Sequence, residues 1–237
     1  MARLGHGENG SDRAALRLRQ DQDQDQDQDR AADKRLGDLR FRALLQGGKW
    51  AALPAPVRAR FSKRLTGGDS IVYVGQVTQT RITRAGWLFC QAARLIGGPL
   101  PLFDEIGVPA VVTVTEDGPS GGQVWTRIYA RRRGFPQVIH SAKQFSGTTG
   151  LEEMVGGGVG MALTVHVADG VLLFRSARYF LRIGGARLTL PAVLVPGALT
   201  VAHRELGGGR FEFSLDVVHP LFGHFIHQAA IFREATP

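Results

Sequence analysis

The sequence predicts an α+β protein: N-terminal helices followed by a large curved antiparallel β-sheet or incomplete β-barrel of about nine or ten strands. Three observations carry this. From residue 109 to the end, short runs rich in Val, Thr, Phe and Tyr succeed one another. Glycine-centred turn signals separate several of them, which is hairpin chemistry. Helical periodicity, in contrast, is confined to segments before residue 97.

In chain order, residues 20–29 alternate Gln and Asp without an apolar anchor. Such a stretch cannot bury enough surface to offset its ordering entropy, so residues 1–38 are expected to form a disordered low-complexity tail and residues 39–237 a single domain. The evenly spaced aspartates lack the glycine turn of a calcium loop. Leu39, Phe41, Leu44, Leu45, Trp50 and Leu53 give an amphipathic helical pattern, broken at Gly47-Gly48 and ended by Pro54 and Pro56. A second short helix is expected over 57–65. A strand follows over 71–82, then a nearly apolar helix over 86–96 and an apolar loop over 100–109. Strands are expected over 110–116, 123–132, 135–145, 151–155, 161–167, 171–179, 198–205, 210–217 and 222–233. Asp117-Gly118 with Gly121-Gly122, Asp169-Gly170 and Gly207-Gly208-Gly209 join three of the pairs.

Charge narrows the function classes. The chain carries 29 Lys plus Arg against 21 Asp plus Glu, a formal net charge of +8. Residues 1–40 hold eight basic and nine acidic side chains, so the excess lies in the remainder. It is dispersed, with Arg131-Arg132-Arg133 the one tight run, and no helix-turn-helix, zinc-finger or aromatic RNA-binding signature accompanies it. A nucleic-acid partner is not expected. The lone cysteine, Cys90, excludes an internal disulfide framework. No apolar run reaches the ~18 residues of a spanning helix, and Met1 to His6 lack a signal-peptide core. The expectation is a cytoplasmic protein, with peripheral attachment to an anionic membrane as the alternative.

Several constellations invite a chemical reading. Gly156-Gly157-Gly158-Val159-Gly160 lacks the spacing of a phosphate-binding loop and precedes a strand, so no nucleotide cofactor is expected; a β-bulge or flexible connection explains it. His219, His224 and His227 diverge if they lie on a strand, so no metal is expected. There is no nucleophile elbow, and Cys90 lies in an apolar helix, where a buried thiol is inert. Glu152 with His140 offers acid–base groups. On the strand over 123–132, Trp125, Arg127, Tyr129 and Arg131 share one face. The simpler reading is an outer face of arginine stems packed along aromatics. The functional one places Trp125, Arg127 and Tyr129 inside a barrel, where an arginine holds a ligand's carboxylate or phosphate. Trp87, Phe89 and Phe103 belong to an apolar stretch over 87–106 that caps the sheet as core, or forms a gate over a cavity, or dips into a membrane interface.

The ordered part, about 41–235, resembles the bacterial domain-of-unknown-function family 4166. The resemblance runs from Phe41-Arg42-Ala43-Leu44-Leu45 through Trp50-Ala51-Ala52-Leu53-Pro54-Ala55-Pro56-Val57-Arg58 and Val74-Gly75-Gln76-Val77. It continues through Gly-Gly-Pro-Leu-Pro at 97–101, Pro109-Ala110-Val111-Val112-Thr113-Val114 and Val124-Trp125-Thr126-Arg127, and ends at Arg210-Phe211-Glu212-Phe213 and Pro220-Leu221-Phe222-Gly223. It implies a reductase-type partner protein, since some members are fused to a nucleotide-dependent reductase, and it brings no catalytic residues. Three readings follow. The domain binds a hydrophobic or amphipathic, lipid-like molecule within its sheet; it is an enzyme acting on such a ligand; or it is a membrane-surface or protein-interaction module.

Overall fold

In the computed structural model, which describes residues 37–235, alternating short β-rich runs resolve into a ring. After α1 (Arg40–Ala43) and α2 (Ala55–Phe61) come β1 (Ser70–Ile82), α3 (Arg84–Ala93) with a 3-10 turn Arg94–Ile96, and β2 (Pro109–Asp117). Then follow β3 (Gly122–Tyr129), β4 (Gln137–Gln144), β5 (Glu152–Gly156), β6 (Val159–Ala168), β7 (Val171–Ile183), β8 (Ala186–Thr189), β9 (Ala198–Gly207), β10 (Arg210–His219) and β11 (Gly223–Glu234). Every pairing is antiparallel. The spatial order is β6-β5-β4-β3-β2-β1-β11-β10-β9-β7-β8, and β6 also pairs with β7. Ten strands therefore close on themselves. β8 lies outside the ring: the first half of β7 pairs with β9 over Leu172–Arg175, and its last four residues pair with β8 instead.

Two expectations are corrected. The barrel is closed, because β7 bonds β6 along one edge and β9 along the other. Ring closure also needs β1 to pair with β11, segments at opposite ends of the described chain, and that pairing leaves no local mark in the sequence. The expected N-terminal helices shrink: the first to one turn of four residues, the second to seven. Gly47 and Gly48, both at positive φ, and the prolines at 54 and 56 turn the chain before a long helix can form. The protein is thus mostly antiparallel β with few helices. The tail expected over 1–38 lies outside the described residues except for Gly37 and Asp38.

Local chemistry explains the tight connections. Asp169 and Gly170 both take positive φ between the paired Ala168 and Val171, the geometry of a two-residue type I′ turn. Because the strands alternate in direction, the β1–β2, β3–β4, β5–β6, β7–β9 and β10–β11 connections emerge at one end of the barrel. The N-terminal segment closes the other.

That closed end is aromatic. Phe41 of α1 stacks edge-on to Phe61 of α2 (5.3 Å between centroids), to Phe145 (4.9 Å) and to Phe174 of β7 (6.0 Å). Arg60 of α2 lies 3.9 Å over the Phe211 ring, pairs with Glu205 at 3.3 Å, and reaches His203 Nε2 at 2.7 Å. Burial among these rings, with Arg60's charge beside it, holds His203 well below its ordinary 6.5, so the ring is neutral. Phe61→Ala should therefore cost about 3–5 kcal/mol in urea denaturation, the usual loss for emptying a large aromatic from a core. A loss below ~1 kcal/mol would show that this end is not sealed by the cluster.

A polar cluster inside an apolar cavity

Ten strands enclose more space than their inward side chains occupy, and the described residues leave a cavity of about 580 Å³. Its walls are apolar: Phe174, Met161, Val112, Leu199, Phe213 and Phe232 all face it. One mouth lies between α3 and the loop after β8. Leu95, Val193 and Leu194 line the cavity and are also 91%, 78% and 63% exposed, so the interior reaches solvent there.

Polar groups enter this space through strand register. On β3, Gln123, Trp125, Arg127 and Tyr129 alternate with outward residues. Antiparallel pairing sets Ser141 of β4 opposite Trp125 and Lys143 opposite Gln123, so both also face inward. Lys143 in turn pairs with Glu153 of β5. Direct cross-strand partners have Cβ atoms about 5 Å apart, close enough for an ion pair. Lys143 Nζ lies 3.2 Å from Glu153 Oε1, and Arg127 Nη2 lies 3.4 Å from the same oxygen. Arg127 Nη1 donates to Ser141 Oγ at 3.0 Å. The Lys143 ammonium also sits 4.6 Å from the Trp125 ring centroid.

Two cations thus share one carboxylate. Burial alone would raise Glu153; the charges of Lys143 and Arg127, with hydrogen bonds from Ser141 and Lys143, overcome it and hold the carboxyl at about 2. Burial lowers Lys143 from its ordinary 10.5, Arg127 adds to that, and Glu153 opposes it. Tyr129 is raised by burial, although Arg127 works against it. Burial pushes Tyr179 up to about 12. Both phenols are therefore protonated donors. Tyr179 lines the cavity, and its Oη is shielded from solvent beside Ser176.

The expected site residues divide. Trp125, Arg127 and Tyr129 face the cavity, and so does Phe89 of α3. His140 does not: it alternates with Ile139 and Ser141, points outward, and its Nδ1 lies 3.0 Å from Thr126 Oγ1. Glu152 is likewise on the opposite face from Glu153, buried against Arg187 of β8 and accepting from Ser146 Oγ at 2.9 Å. The proposed pairing of His140 with Glu152 is corrected by this alternation, since neither reaches the cavity. Trp87 turns to solvent at 47% exposure, Phe103 lies beneath the Arg131 guanidinium, and neither lines the cavity. Sequence reasoning missed Ser141, Lys143, Glu153 and the loop after β8. Register counted from Arg127 would have found the first three.

Other candidates serve the fold. Gly156 and Gly158 bring the β5–β6 turn against the backbones of Ile96 and Arg182; a Cβ at either would sit 2.2 Å and 2.6 Å from those carbonyl oxygens. His227 Nδ1 lies 2.7 Å from Asp216 Oδ1, and His219 stacks on Phe225. Burial pushes the Cys90 thiol up to about 12.

The cluster predicts a pH signature. A folded carboxyl that titrates below its unfolded value contributes fully above about pH 5, and that contribution fades as pH falls towards about 2. Glu153→Gln leaves Lys143 and Arg127 unpaired and should cost about 3–5 kcal/mol at neutral pH. The variant should also lack this component of acid sensitivity. Urea denaturation at about pH 7 and about pH 3 measures both effects; parallel loss in the two proteins would show that Glu153 is not ion-paired.

No curated protein and no solved structure matches the chain. Residues 53–232, which include every side chain of the polar cluster, match the family described as a domain of unknown function, DUF4166, and the chain belongs to that family.

Proposed function

We propose that the barrel binds a hydrophobic, lipid-like small molecule carrying an anionic head, either carboxylate or phosphate. The observation that carries this reading is the charge imbalance in the cavity: Arg127 and Lys143 share Glu153, inside a space walled by apolar side chains. A buried, partly compensated cation favours an incoming anion strongly, because little water is present to screen it. Tyr179, kept protonated by burial, adds a phenol to the lining. The volume falls within the ~300–1,000 Å³ typical of small-molecule sites. Apolar walls take the tail, and the Arg127 fork suits two oxygens of one head.

Binding of a saturated fatty acid, followed by displacement of an environment-sensitive dye and by native mass spectrometry, tests this. The carboxylate should bind at least about tenfold more tightly than the primary alcohol of equal chain length, since a charge-assisted hydrogen bond is worth about 1.5–3 kcal/mol. Arg127→Gln should erase most of that preference while the alcohol's affinity stays unchanged. Equal binding of acid and alcohol by the wild type, or binding of neither, sinks the reading.

A further inference from the structure

We propose that the open end of the barrel docks onto an anionic membrane surface, placing the cavity mouth against lipid. The inference extends the binding role but stands on separate observations. Of the fourteen large apolar side chains exposed among the described residues, eleven lie in or beside the five connections at the mouth end. They are strongly exposed: Leu88 64%, Leu95 91%, Phe135 92%, Val193 78%, Leu221 79% and Phe222 65%. Scattered apolar residues are normal on a surface, but concentration at one end is not.

Helix α3 shows the same bias within one element. Its buried positions are small, Gly86, Cys90 and Ala93, while Trp87 and Leu88 face water. A helix that served only as a cap would turn its large residues inward. Here the close approach forbids it: a Cβ on Gly86 would lie 2.3 Å from the Phe225 carbonyl oxygen.

Charge identifies the partner. The same five connections carry six arginines, Arg84, Arg94, Arg131, Arg132, Arg133 and Arg187, against two carboxylates, Asp104 and Glu105. Glu105 is already engaged by Arg131 at 3.8 Å and by the Arg132 backbone N–H at 2.7 Å. Apolar side chains that insert between lipid tails, ringed by guanidinium groups at head-group depth, match an anionic bilayer. The barrel wall also carries exposed Arg175, Arg178 and Arg204, but among the described residues no comparable group of exposed large apolar side chains accompanies them, so apolar insertion is confined to the end. No helix among the described residues is long and apolar enough to cross a membrane. The cavity opens at this end, so an apolar ligand can exchange with the bilayer without crossing water.

Flotation of the purified full chain with vesicles tests the proposal, and no fatty acid is added. The protein should float with phosphatidylglycerol-containing vesicles at about 0.05 M salt, and at least about tenfold less with phosphatidylcholine alone or at about 0.5 M salt. Two variants probe the two components: Leu88→Ser with Phe135→Ser and Leu221→Ser, and Arg132→Gln with Arg133→Gln. None of these residues lines the cavity, and each set should cut flotation at least about fivefold with an unchanged melting temperature. Leu39→Ser, at the opposite end, should float as the wild type does. Protein that stays at the bottom with anionic vesicles, whether alone or self-associated through this end, overturns the proposal and assigns the apolar end to a protein partner. Variants that float as well as the wild type overturn it too. Flotation without fatty-acid selectivity would sink the ligand reading and leave the docking intact; the converse result would do the opposite.

Discussion

Hydrogen bonding from β6 to β7 and from β7 to β9 closes ten strands into a ring, and a ring that wide is not filled by its own inward side chains. About eight strands is the size that side chains alone can pack. The remaining features answer this surplus space. At one end Phe41, Phe61, Phe145 and Phe174 fill it with rings contributed by α1, α2, β7 and the loop after β4. At the other end the aromatic contacts run among Phe89, Phe225, Phe222 and His219, between α3 and the β10–β11 turn, and α3 lies across the opening with small residues underneath. The cavity is what closure leaves between a filled end and a thinly capped one.

Within that space the ionic cluster has an energetic logic. Taking a lysine and an arginine out of water costs several kcal/mol each unless attraction compensates. Glu153 supplies attraction for both at one oxygen, at 3.2 and 3.4 Å. The Trp125 and Phe174 rings add weaker cation–π stabilisation to Lys143, at 4.6 and 5.9 Å. Arg127 and Lys143 share the one carboxylate of Glu153, while burial and the Arg127 charge both press the Lys143 ammonium towards losing its proton. Replacing the cluster by apolar residues would satisfy the barrel's packing better.

Much of the architecture was legible, because turn glycines and β-rich runs are local signals. Asp169-Gly170 marked the β6–β7 hairpin, and the period-two pattern on β3 grouped Trp125, Arg127 and Tyr129 correctly. Which face of β3 was inside was not legible. Hydrophobicity normally decides that, but here the inner face carries Gln123 and Arg127 while the outer one carries Val124 and Ile128. An interior that holds charge defeats the rule in the strands that build the site. The same inversion explains the preference for Glu152 over Glu153: adjacent carboxylates point to opposite faces, and only the register through Lys143 tells them apart. Strand β8 escaped notice because a four-residue strand between glycine and proline signals reads as loop.

The helix across the mouth ties these strands of reasoning together. Gly86 and Phe225 bring α3 backbone against β11 backbone, a contact that admits no side chain at all. Such an approach fixes the helix on the rim at the expense of its capacity to fill the opening. Its larger side chains must then go sideways, as Phe89 does into the cavity, or outward, as Trp87 and Leu88 do into solvent. Outward exposure of that kind is unfavourable in water by about 25 cal/mol per Å² of apolar surface and is relieved only by a second apolar phase. The constraint that keeps the cavity open is therefore the same one that leaves its rim apolar and exposed. The apolar cavity thus runs from a rim of exposed apolar side chains flanked by arginines to the Arg127–Lys143–Glu153 cluster.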